Sequence, residues 1–154
     1  NLVYLCWFID SATGHTGACG MSCSLMADAC EGWVVRRHEI DYLAQVRPED
    51  SVIVKTWMET AEKASSVRRY ELVNAADGRL VARGLTVWVW INYKTGRPAR
   101  IPEKVYAAYG VTPGEITERP RSWTKFTTPA QKEIYERRAH DEWVPFCAKQ
   151  DGTR

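Results

Sequence analysis

The residues of this chain able to do chemistry are a lone acid in an apolar segment, four arginines in adjacent pairs, and a histidine beside carboxylates. Asp10 is the first charge in Asn1-Leu-Val-Tyr-Leu-Cys-Trp-Phe-Ile-Asp-Ser-Ala12. A carboxylate so placed can attack an electrophile or activate water; it can equally be hydrogen-bonded or meet solvent. Arg36-Arg37 and Arg68-Arg69 suit phosphate, because guanidinium forks donate two parallel hydrogen bonds to such oxygens. Solvated pairing with Glu39, Asp41 or Glu71 is the competing reading. His38, Glu39 and Asp41 share one strand-like segment, whose side chains alternate between faces, so they cannot all reach one pocket as base and acids. His15, Cys19 and Cys23 recur every fourth residue and can face one way on a helix. A zinc site there lacks a fourth ligand and the usual two-residue cysteine spacing, and free thiols are the simpler reading.

Positioning these groups falls first to the opening segment. At 100° per residue, Leu2, Leu5, Cys6, Ile9 and Ala12 share one side, while Val3, Tyr4, Trp7 and Phe8 occupy most of the rest. A helix apolar nearly all round must be enclosed by other structure. A buried strand is the alternative, but a run reaching Gly14 is long for one. From Gly32 the pattern turns strand-like: Trp33 to Leu43 puts Val34, Arg36, His38, Ile40 and Tyr42 on one face. Ser51–Ala61, Ser66–Asn74 and Arg79–Tyr93 read as three more strands. Arg47-Pro-Glu-Asp50 and Asp77-Gly78 supply turn chemistry between them. Thr86-Val-Trp-Val-Trp-Ile91 is apolar on both faces and reads as central, with Trp88 and Trp90 as core rather than a ligand platform. The expectation is an antiparallel meander, curved around the opening helix. A short helix is expected around Ser24–Ala29, and another over Pro102–Tyr109, with Gly110 after its end.

The bulk numbers fit one domain: 154 residues, 45% apolar and 26% charged, with seven Trp and seven Tyr. A formal net charge of +2 is too near neutral for a phosphate-tracking nucleic-acid surface. No run reaches the roughly 18 apolar residues of a membrane span, and no signal-peptide pattern is present. Cysteines at 6, 19, 23, 30 and 147 are odd in number and form no paired framework, which fits reduced thiols and a cytoplasmic location.

The opening segment, then Gly32-Trp-Val-Val-Arg-Arg-His-Glu-Ile-Asp-Tyr-Leu43, Leu80-Val-Ala-Arg83 with Trp88-Val-Trp90, and Gly96-Arg-Pro-Ala-Arg-Ile-Pro102 resemble the hotdog-fold acyl-CoA thioesterases of the 4-hydroxybenzoyl-CoA thioesterase and YbgC-like group. The resemblance runs from residue 1 to about residue 109 and rests on the order and spacing of moderately specific motifs. It implies an α+β hotdog fold, with a long central helix wrapped by a curved antiparallel sheet. It also implies a homodimer or tetramer that binds acyl-CoA at the subunit interface. Coenzyme A would enter as part of the substrate, and no separate cofactor or metal is implied.

In that family the helix follows a strand and an Asp-x-x-Gly-His-Val-Asn-Asn loop whose Asp acts in thioester hydrolysis. Here Asn1 matches the last Asn of that loop, and nothing before it matches the Asp. Two organisations follow. Residues 1–112 form the hotdog domain, and 113–154 form a connector plus either a C-terminal helix or a strand replacing the missing first one. Thr128-Pro-Ala-Gln131 has the form of a capped helix start. Glu133 to Gly152 loosely resembles the absent strand and loop, which would make the chain a circular permutant or a remnant of a tandem array. In that alignment Pro145 and Cys147 stand at the acidic positions.

Thioester hydrolysis needs a carboxylate and donors for the developing oxyanion. Helix N-terminal N–H groups provide such donors. The resemblance therefore implies Asp10 as the carboxylate that attacks or activates water, Asn1 and Tyr4 lining the site at the helix start, and Arg36, Arg37, Arg68 and Arg69 as candidates to hold the phosphates of coenzyme A. A non-catalytic module for acyl or aromatic ligands, and a purely structural oligomer, are the rival readings.

Overall fold

The computed structural model describes residues 2–118. Asn1, and the C-terminal helix or replacement strand expected within 133–152, lie outside the described residues.

The opening segment is helical as expected, but the helix α1 (Leu2–Ala18) runs through Gly14 instead of ending there. Its hydroxyls turn inward on its own backbone: Ser11 Oγ donates to the Phe8 carbonyl and Thr16 Oγ1 to the Ala12 carbonyl, both at 2.8 Å. A short helix α2 (Cys23–Asp28) follows, capped by Ser22, whose hydroxyl accepts from the Leu25 N–H. Then come β1 (Glu31–Tyr42), β2 (Val52–Glu62), β3 (Ser65–Asn74) and β4 (Leu80–Asn92). The two-residue β5 (Arg97–Pro98) pairs with β4, and α3 (Glu103–Tyr109) ends at a left-handed Gly110.

The sheet is antiparallel throughout, in the order β1-β4-β3-β2. Only β2, β3 and β4 therefore form the expected meander; β1 pairs with β4 rather than with its sequence neighbour. The cause is the connection after β1. The turn expected at Arg47–Asp50 is present, with the Asp50 N–H donating to the Arg47 carbonyl at 3.0 Å. It sits, however, within a longer connection over 43–51 in which Ala44 and Val46 pack against the core, carrying the chain across to the far edge. The expectation that β4 is central holds, since it lies between β1 and β3.

The enclosure of α1 is one-sided. Trp7, Phe8, Ser11, Ala12 and Thr16 are buried against the sheet, whereas Leu2 is 65% exposed. Trp7, Phe8 and Ala12 join Val52, Val54, Tyr70, Leu72, Val81 and Ala82 in one apolar cluster. A second, around Trp90, Met58, Ile101 and Val105, seals the other end of the sheet. Phe8 stacks on Tyr70 with centroids 4.6 Å apart and planes at 10°. Gly84 makes this approach possible: a Cβ there would sit 2.6 Å from the Glu39 carbonyl oxygen and 2.8 Å from Phe8 Cε2.

Gly84→Ala should therefore destabilise the fold by about 1–3 kcal/mol, as overpacking does, because the Glu39 carbonyl belongs to a paired strand and cannot yield. Phe8→Ala should cost roughly 3–5 kcal/mol by opening a cavity. Urea denaturation measures both, and an unchanged midpoint for Gly84→Ala would contradict the close approach.

Candidate functional site

Side-chain size along α1 decides where space is left. Its first half offers Trp7 and Phe8 to the sheet, and its second half offers Ala12, Thr13 and Thr16. Beneath the small residues lies a cavity of about 330 Å³, at the lower end of the roughly 300–1,000 Å³ typical of small-molecule sites. Met26 of α2, Trp33 and Val34 of β1, Met58 of β2, and Trp88 and Ile91 of β4 form its walls, which are overwhelmingly apolar. Trp90, the other half of the tryptophan pair, is core: it is buried and packs edge-on to Trp33 at 5.0 Å. Trp88 stands on the cavity wall instead.

Among the described residues, one charged side chain lines this cavity. On β3 the inward face carries Ser66, Arg68, Tyr70 and Leu72, all buried, and Arg68 is only 3% exposed. Arg68 Nη1 donates to His15 Nδ1 at 2.9 Å and to Thr56 Oγ1 at 3.3 Å. A guanidinium has no acceptor, so Nδ1 of His15 must be the unprotonated nitrogen. The guanidinium also lies 5.6 Å from the centroid of the Tyr109 ring. Tyr109 in turn donates to Thr16 Oγ1 at 2.8 Å, so a polar floor runs from α1 through Arg68 to α3.

The electrostatics follow from this burial. Burial, reinforced by the Arg68 charge, lowers the His15 pKa to about 4 and keeps the ring neutral. Burial raises Cys19, with the Arg68 charge opposing the rise. Burial likewise raises Tyr109, against the hydrogen bond to Thr16 and the Arg68 charge. His15 serves as an acceptor for Arg68, and among the described residues no three His, Cys, Asp or Glu side chains cluster as a metal site.

The other residues singled out from the sequence scatter. Tyr4 is half-buried on α1, packing against Trp7 at 5.4 Å and edge-on to Tyr42 at 5.2 Å, and does not line the cavity. Asp10 is half-buried on the same helix and is also absent from the cavity wall. Arg36 and Arg37 are exposed on edge strand β1, where Arg36 is the extra residue of a bulge and Arg37 pairs with Glu39. Arg69 points to the opposite face of β3 from Arg68 and binds Glu59 at 2.9 Å. The four arginines thus do not form one phosphate cradle. His38 Nδ1 shares a 2.8 Å hydrogen bond with buried Thr86, and burial lowers its pKa. His15, Thr56 and Tyr109 were not singled out as partners of Arg68. The signal present in the sequence is that Arg68 falls in phase with Tyr70 and Leu72, an arginine on the apolar face of its strand.

Residues 3–109 match a family model described as the acyl-ACP thioesterase N-terminal domain. The chain is 33% identical over 73 residues to the palmitoyl-acyl carrier protein thioesterase, chloroplastic, of Gossypium hirsutum. It is 30% identical over 73 residues to the enzyme of the same name from Cuphea hookeriana. In both the match covers 47% of this chain but only 18% of the relative's length. Among solved structures, a DHNA-CoA thioesterase from Staphylococcus aureus superposes with a TM-score of 0.63 at 26% identity, covering 70% of this chain and 73% of that one. A 1,4-dihydroxy-2-naphthoyl-CoA thioesterase from Synechocystis gives 0.65 at 18% identity, covering 70% and 79%. A Lactobacillus plantarum structure matches at 0.63 and 20% identity, with 48% of its chain covered. The hotdog architecture expected from the sequence is the one observed.

The neutral His15 has a thermodynamic signature. Between pH 6.5 and about 4 the unfolded chain takes up a proton at this position that the folded chain refuses. Stability therefore falls as pH falls through that window, and His38 adds a loss of the same sign. His15→Gln, which keeps an acceptor for Arg68, should lose less stability than the wild type over the same interval in pH-dependent urea denaturation. Parallel curves would rule out a neutral, buried His15.

Proposed function

Because the chain belongs to the acyl-ACP thioesterase N-terminal domain family, we propose that it holds the acyl group of a thioester during hydrolysis, with the acyl chain in the cavity beneath α1. The carrying observation is that cavity: apolar walls from Met26, Met58, Trp88 and Ile91 replace water around methylene groups at about 0.8 kcal/mol each. Both carrier-protein and coenzyme A thioesters present the same acyl-pantetheine arm. The family favours the carrier protein, and acyl-CoA is the alternative substrate. No resident cofactor or metal is needed, since coenzyme A or the carrier's pantetheine enters as part of the substrate.

In hydrolysis, water or a carboxylate adds to the thioester carbonyl, the oxyanion collapses, and the thiol departs with a proton. Where a carboxylate has added, water then cleaves the resulting anhydride, releasing the acid and restoring the carboxylate. Among the described residues no Asp or Glu lines the cavity, so its walls bind and orient while the carboxylate stands elsewhere. Asp10 is the acid within α1 and is assigned that part, with Tyr4 nearer the helix start. Of the four arginines, Arg36, exposed at the β1 bulge, is assigned to a phosphate of the substrate. The working form is a homo-oligomer, in keeping with the incomplete covering of α1. No described helix is long and apolar enough to cross a membrane, and a cytoplasmic location is assigned on the reduced-thiol composition.

The absence of a carboxylate from the described cavity wall favours one rival, a module that binds the acyl group without turning it over. A thiol-release assay with palmitoyl and shorter acyl thioesters of carrier protein and coenzyme A separates the two. Release that falls at least about 100-fold in Asp10→Ala, the low end of a general-base contribution, supports hydrolysis by this chain. Saturable binding without release supports the module, and neither binding nor release removes the acyl reading.

A further inference from the structure

We infer that the acyl group this cavity takes ends in a carboxylate, which Arg68 holds at the end remote from the thioester. The inference rests on the acyl-binding reading above and specifies its substrate class as half-thioesters of dicarboxylic acids. It starts from an inversion on one strand. Arg69, with its side chain 41% exposed, has a carboxylate partner in Glu59 at 2.9 Å. Arg68, 3% exposed, has none within 4.0 Å among the described residues, whose ion pairs join Arg37 to Glu39, Arg69 to Glu59, Arg79 to Asp77 and Arg83 to Asp41. Physical chemistry demands the opposite, because water screens an exposed cation whereas a buried one needs a counter-charge.

The neighbours of Arg68 solvate its charge without neutralising it. His15 and Thr56 accept from the same nitrogen, Nη1, and the Tyr109 ring offers only its quadrupole. Arginine stays protonated at any accessible pH, so among the described residues a positive charge without a carboxylate partner stands at the wall of a cavity that is otherwise mostly apolar. A guanidinium fork matches a carboxylate in two parallel hydrogen bonds. Methylenes against Met26, Met58 and Trp88, with an anionic end at Arg68, satisfy both parts of the lining at once. A plain alkyl end would leave the cation uncompensated and cover it with hydrocarbon.

The test compares N-acetylcysteamine thioesters of equal length by isothermal titration calorimetry: octanoyl, octanedioyl with its free carboxylate, and the octanedioyl methyl ester. The wild type should bind the carboxylate roughly ten- to a hundred-fold more tightly than octanoyl, the range of a hydrogen-bonded charge pair. The methyl ester should fall back to the octanoyl value, a result that requires no altered protein. Arg68→Met, checked by thermal unfolding, should lose the preference while keeping or improving octanoyl binding. Octanoyl binding as well as or better than octanedioyl in the wild type overturns the inference and leaves the acyl reading standing. Failure of all three to bind overturns both.

Discussion

The contact on which the rest of this structure depends is the one between the Phe8 ring and the sheet. Phe8 lies almost flat on Tyr70, and Gly84 lets the ring and the Glu39 carbonyl come close over β4. That contact sets the height of α1 above the strands near its N-terminus. Towards its C-terminus the helix presents the small Ala12, Thr13 and Thr16 to the cavity, with His15 turned to Arg68. The cavity is therefore a product of a size gradient along one helix. Large residues fix the spacing at one end, and small residues fail to fill it at the other, as close packing would otherwise require.

The same alternation that builds the sheet distributes its charges. Successive side chains of a strand point to opposite faces, so the adjacent arginines of β3 meet unrelated surroundings. Arg69 joins a solvent-facing group that includes Glu59, whereas Arg68 enters the interior. There it depresses the His15 pKa, adding to the effect of burial, and opposes the burial-driven rises at Cys19 and Tyr109. The polar floor ties three elements together, since His15 and Thr16 belong to α1, Arg68 to β3 and Tyr109 to α3. Cavity and floor thus share one origin, the second half of α1 lying over the middle of β3.

The apolar composition of α1 exceeds what one sheet can cover. A sheet shields one side of a helix, and here that side is Trp7, Phe8, Ser11, Ala12 and Thr16, while Leu2 stays largely in water. The family match spans residues 3–109, within the unit described here, whereas the alignments to the plant relatives cover only 18% of those proteins' length.

By itself the sequence determined the elements. The uninterrupted apolar run made α1, period-two patterning over ten or more residues made the four long strands, and Pro102 with Gly110 bounded α3. These are local preferences repeated along the chain, and repetition makes them legible. The order of motifs also carried the hotdog resemblance that the comparisons bear out. What only the tertiary structure decided were relations across the chain. The pairing of β1 with β4 depends on where Ala44 and Val46 find a core to pack against. The one-sided burial of α1 depends on the sheet having a single concave face. The meeting of Arg68 with His15, 53 positions away, depends on both. Residue type told that an arginine stood on the apolar face of a strand; which neutral groups surround it, and that no described carboxylate does, is a property of distances that no local pattern encodes.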